Sequence, residues 1–279
     1  MSSSPTDAPA LSLSDVSTPH LDGETFRLEV PAGWRQCRGA FGGLTIGAAL
    51  RAIEARVADP RRKVRSVTAE LTAPVEAGPS EIAVEVLRAG SAVTIARAAL
   101  KQRGETRTHV VAVLAAPRPG AGPLAWRELE PPRAPPWKQV EASWIGVPVE
   151  GAPSWPEFAR HFEFRIVEGV PLTGGAARTV GWIRPRAPGG LRDAAHIAAL
   201  ADAWFPATMV RLTALRPMAT IAYTLDIVDG IEGLDPEAPL LYRGTVPVCS
   251  DGYFLETREL WGEDGRLVVI NQQTLAIIA

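Results

Sequence analysis

The 279-residue sequence predicts an α+β fold made of two antiparallel sheets, each wrapping a central apolar helix. Three observations predict it. Residues 191–206, LRDAAHIAALADAWFP, form a helix candidate that is apolar nearly all the way round. Residues 44–57, LTIGAALRAIEARV, form a second one, rich in alanine. A helix with so little polar surface expects burial on several sides, which a surrounding sheet provides. The third observation is a repeat of order. Each half of the chain reads as strand, buried helix, then four strands, and such a duplication suggests that one copy cannot complete its own core.

The elements follow in order. Residues 1–19 are rich in Ser, Pro, Thr and Asp and read as a disordered tail without the layout of a signal peptide. Residues 25–30 alternate polar and apolar and predict the first strand. The turn Gly39-Ala40-Phe41-Gly42-Gly43 leads into the first helix, which Pro60 ends. Residues 66–71, 80–87, 92–102 and 106–114 are short, alternating or β-branched, and bounded by turn residues. An N-terminal domain is therefore expected over 20–116. Residues 117–156 break the pattern with repeated prolines, among them Pro131, Pro132, Pro135 and Pro136. This composition favours extended backbone. Trp126, Trp137, Trp144 and Trp155 suggest an ordered crossover linker pinned by its tryptophans. Strands follow at 157–167 and 177–184, then the helix, then strands at 218–228, 240–248, 253–261 and 267–278. The C-terminal domain is expected over 157–279.

A sheet around a nearly all-apolar helix is the hotdog arrangement, and two copies in one chain make a tandem, or double, hotdog. An ordinary α+β domain with two core helices is the plainer alternative. The duplication favours the tandem.

Composition narrows the function. A hydrophobic content of 46% supports a large core, and a net charge of -2 without a basic run gives nucleic acid no electrostatic footing. No apolar run is long enough to span a bilayer. Cys37 and Cys249 form neither a disulfide framework nor a metal cluster and fit a reducing, cytoplasmic setting. His20, His109, His161 and His196 show no metal spacing, and no cofactor is expected. His196 reads as a core or helix-surface residue.

Asp202 is the chemical anomaly: one carboxylate inside an apolar helix. Burying it is costly unless it is paired or hydrogen-bonded. A carboxylate that simply faces water in the last helical turn is the bland alternative.

Several segments carry a resemblance. Phe41-Gly42-Gly43 precedes the first helix, Arg65-Ser66-Val67-Thr68-Ala69 is followed by Pro74, and Leu87-Arg88-Ala89-Gly90 precedes a strand ending Lys101-Gln102. In the second half stand Leu200-Ala201-Asp202, Thr220 to Leu225 (TIAYTL), and Gly265-Arg266-Leu267-Val268 leading to Gln273. In these segments the sequence resembles the acyl-CoA thioesterase II family of double-hotdog thioesterases. The resemblance implies an acyl-CoA substrate, a place in lipid metabolism, and a catalytic trio falling on Asp202, Thr224 and Gln273. Three departures bear on the acyl pocket: Ala222-Tyr223 replaces the family's Asp-His, Leu225-Asp226 its aromatic residue, and Ser91 an arginine.

The residue types suit that chemistry. A carboxylate within reach of a water can act as general base, and burial raises its pKa toward neutrality. A threonine hydroxyl and a glutamine amide can orient the same water. The start of the first helix, at Gly42, Gly43 and Leu44, is the expected oxyanion site, because helix N-termini present unpaired N–H groups. Threonine is common in strands, so Thr224 carries little weight alone. Asn271 and Gln273 share one strand face, and either could point inward. Gln102 reads as a structural remnant. Asp229-Gly230 and Asp251-Gly252 read as turns. Arg51, Arg88 and residues 61–63 are candidates for CoA phosphates. Two other functions stay open: a hotdog enoyl-thioester hydratase or dehydratase, and a non-catalytic acyl-thioester-binding protein. Assembly of such units into homo-oligomers is compatible with the fold.

Overall fold

The computed structural model describes residues 11–118, 120, 126–147, 155–228, 231 and 233–278. The α-helices among the described residues are α1 (Leu13–Val16), α2 (Gly42–Val57), α3 (Ala194–Ala203) and α4 (Thr208–Arg211). The strands of the first half are β1 (His20–Asp22), β2 (Thr25–Val30), β3 (Arg35–Gln36), β4 (Gly39–Ala40), β5 (Lys63–Leu71), β6 (Gly78–Ala89), β7 (Val93–Gln102) and β8 (Glu105–Ala115). Those of the second half are β9 (Phe162–Glu168), β10 (Arg178–Pro185), β11 (Met218–Ile227), β12 (Leu240–Ser250), β13 (Tyr253–Trp261) and β14 (Leu267–Ile277). The duplicated order expected from the sequence is present.

The sheet differs from the expectation of two. Twelve strands form one antiparallel sheet in the order β1-β2-β6-β7-β8-β5-β11-β14-β13-β12-β10-β9. The order reads the same outward from its middle, so the halves are related by a pseudo-twofold between β5 and β11. These two strands pair directly, with Thr68 opposite Thr224 and Val67 opposite Leu225. Pairing removes the open edge that each half would otherwise expose.

Both helices pack against the sheet, α2 on β6, β7 and β8 and α3 on β10 and β13. In α2 every residue from Gly42 to Ile53 is buried, and in α3 every residue is. Alanines and glycines bring the two helices close together. A Cβ on Gly43 would lie 2.7 Å from Ala199 Cα, and one on Gly47 3.2 Å from Ala195 O. The helices run in opposite directions, so the start of α2 meets the end of α3. At the other end Arg51 forms a two-pronged pair with Asp193, at 2.8 and 3.2 Å. Asp193 is also the N-cap of α3, accepting from the His196 N–H.

Arg51 also corrects the reading of residues 1–19 as a disordered tail over positions 12–18; residues 1–10 lie outside the described residues. Its guanidinium donates to Ser14 O, Ser17 Oγ and Thr18 Oγ1. Leu13 and Val16 are buried, and Ser12 caps their helical turn. The tail thus supplies core residues and acceptors from position 12 onward.

The crossover covers the outer face of the second half. Trp137 is buried there beside Trp182 and Trp261. The Arg165 guanidinium lies 4.0 Å and that of Arg184 5.0 Å from the Trp137 ring centre. Trp126 pins nothing; it is 78% exposed. Residues 157–161, expected as strand, form a 3-10 turn, and the strand begins at Phe162. Asp251 and Gly252 both take positive φ in the β12–β13 turn, as expected; Asp229-Gly230 lies outside the described residues.

Candidate active site

Asp202 sits in the last turn of α3 and is buried. Pro206 and the extended backbone of Trp204 end the helix just beyond it. Two donors hold its carboxylate. The Gly43 N–H donates to Oδ2 at 2.8 Å, and Gln273 Nε2 donates to Oδ1 at 3.1 Å. Burial pushes the Asp202 pKa up; Arg258 nearby and these two donors pull against it.

Gln273 is fully buried on the inner face of β14. Asn271 is buried on the same face and accepts a second bond from Gln273 Nε2, at 3.1 Å. Both members of the pair therefore point inward. The Gln273 Oε1 accepts from the hydroxyl of Thr220, at 2.9 Å. A chain of hydrogen bonds thus runs from Thr220 through Gln273 to Asp202.

Thr224, the threonine expected here, is elsewhere. Its hydroxyl donates to Gln272 O at 3.3 Å, on the opposite face of the sheet. The physical reason is a bulge. The β11–β14 register shifts between Thr220 and Ala222. Beyond it Tyr223, Leu225 and Ile227 are the buried members, which turns Thr224 outward. Before it the parity is reversed, and Thr220 faces the helix. An extra residue in a strand flips every side chain past it.

The expected oxyanion site is also altered. The Gly43 N–H is taken by Asp202, and the Leu44 N–H by Phe41 O at 3.1 Å. Gly42 remains, its N–H unpartnered among the described residues. A Cβ there would lie 2.9 Å from Asp202 Oδ2 and 2.9 Å from Leu71 Cδ1. Only glycine admits the carboxylate that close to the chain.

A second polar group lies beneath the end of α3. Arg258 and Glu256, two residues apart on the inner face of β13, are 1% and 0% exposed. Arg258 Nε donates to Glu256 Oε1 at 3.1 Å, and its Nη1 to Ala201 O at 2.9 Å and Asp202 O at 3.3 Å. Glu256 also accepts from Tyr242 Oη at 3.0 Å and from the Ala207 N–H at 3.1 Å. Burial works against the Arg258 charge, but Glu256, Tyr242 and Asp202 together more than offset this and raise its pKa. The sequence reading missed Thr220, Glu256 and Arg258 alike.

A cavity of about 550 Å³ is lined by residues next to this chain of bonds, though not by Asp202, Thr220 or Gln273 themselves. Its wall includes Ala203 next to Asp202, Met218 two residues before Thr220, and Leu275 two residues after Gln273. Six aromatic residues contribute to the rest: Trp144 and Trp155 from the crossover, with Phe158, Phe164, Trp204 and Phe205. The segment expected as a mere linker thus builds a cavity wall.

The other candidates have structural places. Gln102 holds the loop before β6, donating to Glu76 O and Ser80 Oγ and accepting from the Glu76 N–H. His196 is buried in the core, bonded through Nδ1 to Leu191 O at 2.8 Å, and burial pushes its pKa down to about 3. Of the phosphate candidates, Arg51 is buried against Asp193, while Arg61 and Arg62 both pair with Asp59. Among the described residues no group of His, Cys, Asp and Glu is arranged to hold a metal.

Comparison with known proteins gives this arrangement its class. The fold matches a conserved protein of unknown function with a hot dog fold from Alicyclobacillus acidocaldarius, with TM-score 0.84, 26% identity, and 96% of this chain and 98% of that chain covered. It also matches acyl-CoA thioesterase II TesB2 from Mycobacterium marinum (TM-score 0.73, 20% identity, 96% and 98% covered). The tesB protein of Mycobacterium avium subs paratuberculosis matches at TM-score 0.75, with 18% identity over 96% and 98%. The fold is therefore of the hot dog class. In sequence, residues 30–116 match the acyl-CoA thioesterase N-terminal domain and residues 128–277 the acyl-CoA thioesterase C-terminal domain. The chain belongs to the acyl-CoA thioesterase family. A comparison with curated protein sequences gives no match. No helix among the described residues is long and apolar enough to cross a membrane.

Proposed function

We propose that this chain is a double hotdog that hydrolyses acyl-CoA thioesters to the free acid and CoA, with Asp202 as general base. The observation that carries the reading is the Asp202 carboxylate, buried and held by Gly43 and Gln273, with its neighbour Ala203 lining a mainly apolar cavity. Desolvation raises the basicity of Asp202. It takes a proton from water while the water oxygen attacks the thioester carbonyl. Thr220 and Gln273 direct that water. The developing oxyanion is met by the Gly42 N–H at the head of α2. Collapse of the tetrahedral adduct expels the CoA thiolate, which takes up the proton.

The mainly apolar lining, with six aromatic residues, suits an acyl chain. Arg35 and Arg216 also line this cavity and are both exposed, Arg35 within 3.6 Å of Glu157, and their position on its wall supports a contact with phosphate groups. Both cysteines are free and exposed, in keeping with the cytoplasm and its lipid metabolism. A hydratase would need a histidine beside Asp202, and His196 is bonded to Leu191 instead.

Incubation with a panel of acyl-CoAs and a thiol reagent tests the proposal. Thiol release that disappears in Asp202→Asn supports it. Binding of acyl-CoA without thiol release assigns the chain to the non-catalytic alternative. Loss of enoyl absorbance without thiol release assigns it to hydration.

A further inference from the structure

We propose that Arg258 is a positioning residue for Asp202, and that Glu256 holds Arg258 in that role. The inference rests on the reading of Asp202 as the base. It starts from the helix end. The last carbonyls of a helix have no intrahelical partner. In α3 these include Ala201 O and Asp202 O, and Arg258 Nη1 donates to both. The guanidinium thus fixes the backbone that carries the carboxylate.

A buried guanidinium needs compensation. Glu256 provides it and also reaches forward. One of its oxygens accepts from Arg258 Nε and Tyr242 Oη, the other from the Ala207 N–H. The pair therefore clasps the chain on both sides of the corner from Ala201 to Ala207. On the neighbouring strand Glu256 stands opposite Gln273, and Arg258 opposite Asn271. The clasp lies one strand away from the Gln273 amide that meets the carboxylate. Arg258 and Glu256 are 1% and 0% exposed, and Arg258 reaches the carbonyls of Ala201 and Asp202, so each is placed to act through the backbone of Asp202.

Charge works with geometry. From β14 Asp202 meets the neutral amide of Gln273, which also donates to Asn271, and from α2 the Gly43 N–H. The phenols of Tyr223 on β11 and Tyr242 on β12 are buried and stay neutral. From β13 come Glu256 and the cation Arg258. Arg258 favours the ionised form of Asp202 that a base requires.

The test uses the full-length protein in two assays. One is a carbon-13 NMR titration of labelled aspartate without substrate, the Asp202 signal being identified by its loss in Asp202→Asn. The other is the pH profile of acyl-CoA hydrolysis. In Arg258→Met, both the titration midpoint and the acid limb should rise by about one pH unit or more. The turnover number at pH 7 should fall about tenfold or more, with KM changed much less. Arg258→Lys keeps the charge but not the fork. Its midpoint should stay near wild type while turnover still falls, and it carries the test if Arg258→Met does not fold. A folded Arg258→Met with an unmoved midpoint would overturn the proposal, as would Arg258→Lys with wild-type turnover. A raised midpoint in a chain that hydrolyses no thioester would keep the positioning role and overturn the proposed function.

Discussion

The Gly43 N–H donates to the Asp202 carboxylate across 2.8 Å, joining the start of one buried helix to the end of the other. The two groups lie 159 positions apart in the chain and come from different halves of the repeat. The site therefore exists only when both halves are assembled, and four expectations follow from its construction.

Asp202→Asn should lower turnover by about 100- to 10,000-fold, the range for removal of a general base. The amide keeps the shape but takes no proton from water. Steady-state hydrolysis of an acyl-CoA, with circular dichroism to check the fold, measures this.

Thr220→Ala should lower turnover about tenfold or more, because Gln273 Oε1 loses its donor and the water its second partner. Thr224→Ala should change turnover less than about twofold, since its hydroxyl only returns a bond to Gln272 O. Comparing the two variants in one assay separates the threonine placed by the structure from the one expected by spacing.

Gly43→Ala should destabilise the fold by about 1–3 kcal/mol, the usual cost of overpacking. Its Cβ would lie 2.5 Å from Phe41 Cζ and 2.7 Å from Ala199 Cα, a backbone atom of the facing helix. Denaturant unfolding reads the loss directly.

Glu54 sets a pH dependence of stability. Burial, then repulsion from Asp193, raises its pKa from 4.5 to about 7. Between those values the unfolded chain releases the proton while the folded protein keeps it. Stability from this group therefore falls as pH rises from about 4.5 to 7, and the full penalty persists above 7. Glu54→Gln should raise the melting temperature at pH 8 and leave it unchanged at pH 4. Thermal unfolding at the two pH values checks the sign.

The sequence made some of this legible. Both helices stood out because Ala194 to Ala201 and Ala48 to Ile53 leave almost no polar face. Asp202 stood out as the acid within one of them. The β5–β11 junction did not, because pairing between distant strands leaves no local pattern. Thr220 was hidden by the bulge at Ile221, which no alternation rule anticipates. Glu256 and Arg258 were hidden because β13 is mixed on both faces. Phe254, Glu256, Arg258 and Leu260 point inward, while Leu255, Thr257 and Glu259 take the other side. Polarity alone could not choose between them. Position 12 to 18 read as tail for a related reason: its small polar residues serve Arg51, whose need for acceptors appears only in the folded protein.

The most direct measurement of whether Asp202 activates water is a single turnover in oxygen-18 water, followed by mass spectrometry of the acid and of the Asp202 peptide. One oxygen-18 atom in the released acid and none in the peptide is the expected result. Label in the Asp202 side chain would mean that the carboxylate attacks the thioester itself, and would contradict the assignment of Asp202 as a base.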